Sequence, residues 1–97
     1  MHAVSVTGTV ELDGEIDAAT VGPMKQKIAE AITAKAGSRV TIDMAKVTFL
    51  DSTGLGALVS ALRQARDGGG DITITNVAPN VRKVFDITGL AKVFELG

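Results

Sequence analysis

The chain has 97 residues, 45% apolar and 22% charged, a length and balance that suit one domain spanning 1–97 around a single core. Ten Lys and Arg against eleven Asp and Glu leave a formal charge of -1, too little positive charge to neutralise a run of nucleic-acid phosphates, so nucleic acid is not expected as a partner. Cysteine is absent and the one histidine is His2 at the terminus, which excludes disulfides, thiol chemistry and a zinc site; no metal and no cofactor are expected.

The segment Ala3 to Asp13 alternates weakly and breaks at Thr7-Gly8, a pattern for two short antiparallel strands joined by a tight turn. Asp13-Gly14-Glu15-Ile16-Asp17-Ala18-Ala19-Thr20 follows as a polar loop, ending in side chains able to accept from the free N–H groups of a helix start. Val21, Met24, Ile28, Ala31 and Ile32 then recur at helical spacing, with Pro23 in the first turn and Gly37 past the end. Val40-Thr41-Ile42-Asp43 predicts a short strand, and a connector carries a second apolar run, Val47 to Leu50.

Asp51-Ser52-Thr53-Gly54 opens a second helix marked by Leu55, Leu58, Val59 and Leu62, which Gly68-Gly69-Gly70 stops. Asp71 to Thr75 is an alternating strand. Pro79 begins a third helix with Val81, Val84 and Phe85 inward and Gly89 at its end, and Val93-Phe94 is expected as a last edge strand. The order β-β-α-β-α-β-α-β gives an α/β fold, a small mixed sheet of four to five strands with helices packed on it. The longest apolar run is far short of the roughly 18 residues that cross a bilayer, so membrane insertion is not expected and the chain reads as cytoplasmic.

Three enzymatic chemistries can be weighed on this sequence. A phosphate-binding P-loop needs a lysine after its glycines, and none follows Gly54 and Gly56. A serine hydrolase needs a histidine placed by the fold, and the only one is residue 2. Asp13, Asp17, Asp43 and Asp51 could form an acid-base or magnesium cluster in a small hydrolase, but aspartates at turns and helix starts ordinarily cap them.

The segment Phe49 to Gly56 carries more information. Asp51, Ser52 and Thr53 are all N-cap types where one would suffice, and Gly54 and Gly56 each cost a helix about 1 kcal/mol relative to Ala, so a close backbone approach is expected there. A helix start also offers unpaired N–H groups and partial positive charge, which accommodate a phosphate on Ser52 or Thr53 within the domain. The same phosphate adds nearly two negative charges and considerable bulk against any partner packed on this surface.

Val40 to Leu58, VTIDMAKVTFLDSTGLGAL, resembles the signature of STAS domains, above all the bacterial anti-sigma factor antagonists, in which a strand leads through Asp-Ser-(Ser/Thr)-Gly-Leu-Gly into a helix. Gly14-Glu15-Ile16-Asp17 is similar to the Gly-Glu-Leu-Asp element of that family, and Val84 to Leu90 resembles its third-helix stretch. The resemblance implies a non-enzymatic regulator that binds a kinase-type anti-sigma factor, frees the sigma factor and is switched off when that serine kinase phosphorylates Ser52; a PP2C-type phosphatase restores it. It also implies a contact surface drawn from Asp17, Asp43, Asp51, Thr53, Gly54 and Leu55. STAS domains serve in other signalling modules too, and as subunits of lipid-transport ABC systems, which is the alternative the resemblance leaves open.

Overall fold

The computed structural model describes residues 8–96, so the arm Ala3–Thr7 of the expected hairpin lies outside the described residues. Strand β1 (Thr9–Ile16) is followed by helix α1 (Val21–Ala34), β2 (Arg39–Leu50), α2 (Ser52–Asp67), β3 (Asp71–Thr75), α3 (Pro79–Thr88), a 3-10 turn at Leu90–Lys92 and β4 (Glu95–Leu96). The strands lie in the order β1-β2-β3-β4, and every described pairing is parallel. The antiparallel pairing that would make the sheet mixed required the arm before Gly8.

Strands in simple sequential order with right-handed crossovers lay their helices on one face of the sheet. Side chains alternate accordingly. Val10, Val40, Ile42, Met44, Ile72 and Ile74 point under the helices and are fully buried, whereas Thr41, Asp43, Thr73 and Thr75 on the opposite face are half-buried and polar. The helices contribute Met24, Ile28 and Ala31 from α1, Leu55, Leu58 and Leu62 from α2, and Val81 and Phe85 from α3. These are the stripes that helical periodicity marks in the sequence.

Three elements differ from expectation. The polar stretch Asp13 to Ile16 is strand, not loop, and the two apolar runs Val40–Asp43 and Val47–Leu50 belong to one twelve-residue strand. The cause is a pair of bulges. Between Glu11 and Asp13 the partner advances from Asp43 to Lys46, and between Gly14 and Glu15 it advances from Val47 to Phe49, so β2 carries an extra residue at each place. Its buried positions therefore pass from alternation (Val40, Ile42, Met44) to every third residue (Met44, Val47, Leu50), and a strand with no single period reads as two. Gly14 takes φ +75° at the second bulge, a conformation open to glycine at no steric cost.

The last strand also shifts. Val93 and Phe94 close the 3-10 turn, and the residues that pair with β3 are Glu95 and Leu96. Phe94 instead enters the core, meeting Phe85 edge to face at 5.7 Å and 83°. Gly70, between α2 and β3, lies so close to the chain entering β2 that a Cβ there would run into the Ser38 carbonyl.

Candidate functional site

The two bulges carry β1 and β2 well past the end of β3, which pairs with β2 only as far as Asp43. At the far end Ile16 and Leu50 are in register, so Asp17 and Asp51 leave the sheet side by side. The Asp51 N–H donates to the Ile16 carbonyl at 3.2 Å, extending the ladder by one bond into the helix start.

Asp51 is the N-cap of α2. Its backbone is extended (φ -103°, ψ -174°), its carboxylate accepts from the Gly54 N–H at 3.1 Å and its carbonyl accepts from the Leu55 N–H at 2.9 Å. Ser52 and Thr53 follow as the first two helical residues, both exposed, and among the described residues no acceptor meets their N–H groups. The Ser52 hydroxyl likewise engages no described residue. It stands at the positive end of a sixteen-residue helix, open to solvent and to another protein.

The two glycines of the motif separate cleanly. A Cβ on Gly54 would lie 2.6 Å from Leu50 Cδ1, 2.7 Å from Ile16 Cγ2 and 3.1 Å from the Ile16 carbonyl, so the close approach expected here is made by the chain's own β1. Gly56 is exposed with nothing within 4 Å of where its Cβ would be. Gly54 and Leu55, expected at the contact surface, lie inside the fold: Gly54 is buried against Ile16 and Leu55 is only 4% exposed, part of the stripe under the sheet. Ser52, Thr53 and Gly56 are the exposed residues of this helix start.

Asp17 shapes the neighbouring loop. Its carboxylate accepts from the N–H groups of Ala19 at 2.9 Å and Thr20 at 3.1 Å, and its carbonyl accepts from Val21 N–H at 2.9 Å. Thr20, which makes no side-chain cap to α1, donates its hydroxyl to the Glu15 carbonyl at 2.7 Å and accepts from the Asp17 N–H at 3.0 Å. The loop is thus tied back to the strand it leaves. Beneath it, a groove of about 380 Å³ runs between β1 and α1, floored by Leu12, Ile16 and Met24 with Lys27 at its edge.

Asp43 does not join this group. It pairs with Glu11 and Thr75 in mid-sheet, where its carboxylate accepts from Ala45 N–H at 3.0 Å and Asn76 Nδ2 at 3.1 Å. Seven residues of strand separate it from Leu50, on the order of 20 Å of extended chain. Its bonds hold the first bulge and fix Asn76 in a left-handed turn at φ +59°. Among the described residues no three acidic or histidine side chains converge on a point able to hold a metal ion, and no helix is long and apolar enough to cross a membrane.

One residue of the region escaped the sequence-level selection. Phe49, within the second apolar run, is 46% exposed and pairs in register with the exposed Glu15. The signal was parity: with Leu50 inward, its immediate neighbour on a strand faces out.

Comparison with known proteins agrees with this geometry. The family model described as Mlab, STAS domain, matches residues 2–96, and the chain belongs to the STAS-domain family. It is similar to the anti-sigma-B factor antagonist of Listeria monocytogenes, 34% identical over 83 residues, 86% of this chain and 72% of that protein. Among solved structures it resembles the anti-sigma factor antagonist SpoIIAA in its unphosphorylated form, with a TM-score of 0.77 and 29% identity over 96% of this chain and 84% of that one. The phosphorylated form of the Bacillus cell fate determinant SpoIIAA matches with a TM-score of 0.69 and 28% identity over 96% of this chain and 86% of that one.

Proposed function

We propose that this chain is an anti-sigma factor antagonist: it binds a kinase-type anti-sigma factor through the face containing Ser52, Thr53 and the Asp17 loop, releases the sigma factor, and is inactivated when Ser52 is phosphorylated. The observation that carries this is the placement of Ser52, exposed and unbonded, at the first position of α2 in a chain related to named anti-sigma factor antagonists. The chemistry follows from that position. A kinase can reach the hydroxyl without unfolding anything, and the phosphate product meets two unpaired N–H groups and the helix dipole, so the fold tolerates it. The complex does not, because a group of nearly two negative charges must be desolvated where the partner packs. A PP2C-type phosphatase would return the chain to its binding form, and the chain itself has no catalytic role.

Incubation with Mg-ATP and each kinase-type anti-sigma factor encoded in the same genome, followed by intact-mass analysis, tests this directly. One phosphate should be added to the wild type and none to Ser52→Ala, while Ser52→Ala should still bind and Ser52→Asp should bind weakly. A tight complex in which Ser52→Asp binds as well as wild type would refute the switch and favour the subunit of a transport ATPase.

A further inference from the structure

We infer that Phe49 is the apolar anchor of this contact, set in an acidic frame, and that the anti-sigma factor meets it with a basic surface around an apolar socket; the inference rests on the reading of Ser52 given above. The chain has three phenylalanines and neither Trp nor Tyr. Phe85 and Phe94 pair with each other in the core, and Phe49 is the one left half in water. Among the described residues the core does not take it up: the buried positions of this stretch of β2 are Val47 and Leu50, and Phe49 stands on the opposite face. Aromatic side chains of this kind, large and cheap to order, are what binding surfaces concentrate at their energetic centres.

Its position joins it to Ser52. Only Leu50 and Asp51 separate the two, about 10 Å of chain, well within the span of the roughly 800 Å² that one partner of a standard interface covers. The frame carries a net negative charge. Glu15 is its register neighbour, Asp13 lies on the same strand end, and Asp17 and Asp51 leave the sheet together just beyond, against Lys46 opposite Asp13 and Lys27 at the edge of the adjoining groove. The chain as a whole carries only -1, and this end, with four carboxylates against two lysines, is more negative than the chain as a whole. That charge selects the occupant. A second copy brought face to face would oppose two acidic frames, an anionic membrane would be repelled in the same way, and a protein surface bearing Arg or Lys around an apolar depression would be drawn in.

The test measures binding of wild type, Phe49→Ala, Phe49→Leu, Glu15→Lys and, as a control, Ile87→Ser to the purified anti-sigma factor kinase that phosphorylates the wild type. Ile87 is the most exposed large apolar residue among the described residues, at 77%, and sits at the other end of α3 from Asn80, whose amide reaches the Thr48 carbonyl. Phe49→Ala should weaken the complex at least about tenfold, Phe49→Leu less, and Ile87→Ser not measurably, with thermal melts establishing that each variant is folded. Glu15→Lys should slow association and flatten its dependence on ionic strength. A folded Phe49→Ala that binds as tightly as wild type overturns the anchor, and should that variant fail to fold, Phe49→Leu and Glu15→Lys both binding as wild type overturn it equally. If wild type binds and is phosphorylated by none of the kinases, the parent reading fails and this one with it; phosphorylation at Ser52 together with an unaffected Phe49→Ala leaves the parent standing alone.

Discussion

Gly54 and Gly56 lie two residues apart in one helix turn, yet replacing each by alanine should move stability in opposite directions. At Gly54 the new methyl falls 2.6 Å from Leu50 Cδ1 and 2.7 Å from Ile16 Cγ2, with the Ile16 carbonyl at 3.1 Å. Leu50 can turn its methyl away only into a packed core, and the Ile16 Cγ2 methyl and carbonyl are held by a buried strand end, so α2 must back away from β1. Overpacking of this kind costs about 1–3 kcal/mol, against which alanine returns up to about 1 kcal/mol of helix propensity, leaving a net loss of about 1–2 kcal/mol. For a domain of this size that is a fall of roughly 5–15 °C in Tm. At Gly56 nothing lies within 4 Å, so only the propensity gain remains, roughly 0.5–1 kcal/mol and a Tm higher by about 2–8 °C. Urea and thermal denaturation of the two variants followed by circular dichroism measure both. A Gly54→Ala as stable as wild type, or a Gly56→Ala less stable, would refute the claim that the fold itself demands only the first glycine.

Asp51→Ala should lose about 1 kcal/mol through the cap to Gly54, whereas Asp51→Asn, which can still accept that bond, should lose only a few tenths in the same urea titration. Binding kinetics of Ser52→Asp should show the loss of affinity as a faster dissociation rate and not as slower association, because an added carboxylate does not oppose steering toward a basic surface and its desolvation is felt once the surfaces have met. Asp43→Ala should lower the urea midpoint by removing the bonds to Ala45 and Asn76, yet leave affinity for the anti-sigma factor unchanged. The carboxyl of Asp71 is held below its ordinary value of 3.8, chiefly by the Ile72 N–H at 2.8 Å against an opposing push from burial, and further by Arg66 at 3.2 Å and by Arg39. A depressed folded-state pKa stabilises the protein above about pH 4 and loses that contribution as pH falls through the folded value, so Asp71→Asn should show a shallower acid limb in a pH series of melts.

The helices were legible because each has one apolar stripe and recognisable ends: Pro79 at the first position of α3, and Gly89 in the left-handed conformation after its last turn. The long strands were not, because two bulges change the period of β2 and place Gly14 inside β1, where a glycine flanked by acids reads as a turn. Bulges arise from pairing between segments some thirty residues apart, and no local pattern encodes them. At the candidate site, the motif marked the helix start formed by Asp51, Ser52 and Thr53, because capping is local to one turn. Which neighbours face out was set by tertiary contact: Leu55 belongs to the core stripe, Gly54 is pressed on Ile16, and Phe49, hidden in an apolar run, emerges on the surface.

The same bulges that obscured the strands explain how the serine is presented. Without its extra residues β2 would keep strict alternation from Met44, and Val47 and Leu50 could not both remain on the buried face with it. With them, β1 and β2 run on beyond β3 as a pair, Ile16 and Leu50 stay inward to receive Gly54, and the Asp51 N–H bond to Ile16 seats the start of α2 on the strand end. The cap, the glycine contact and the ladder bond thus hold Ser52 from three directions while none of them uses its hydroxyl. A regulatory hydroxyl is best placed where the surrounding backbone is rigid and its own bonds are spare, because modification then changes what the surface can bind without changing the surface's shape.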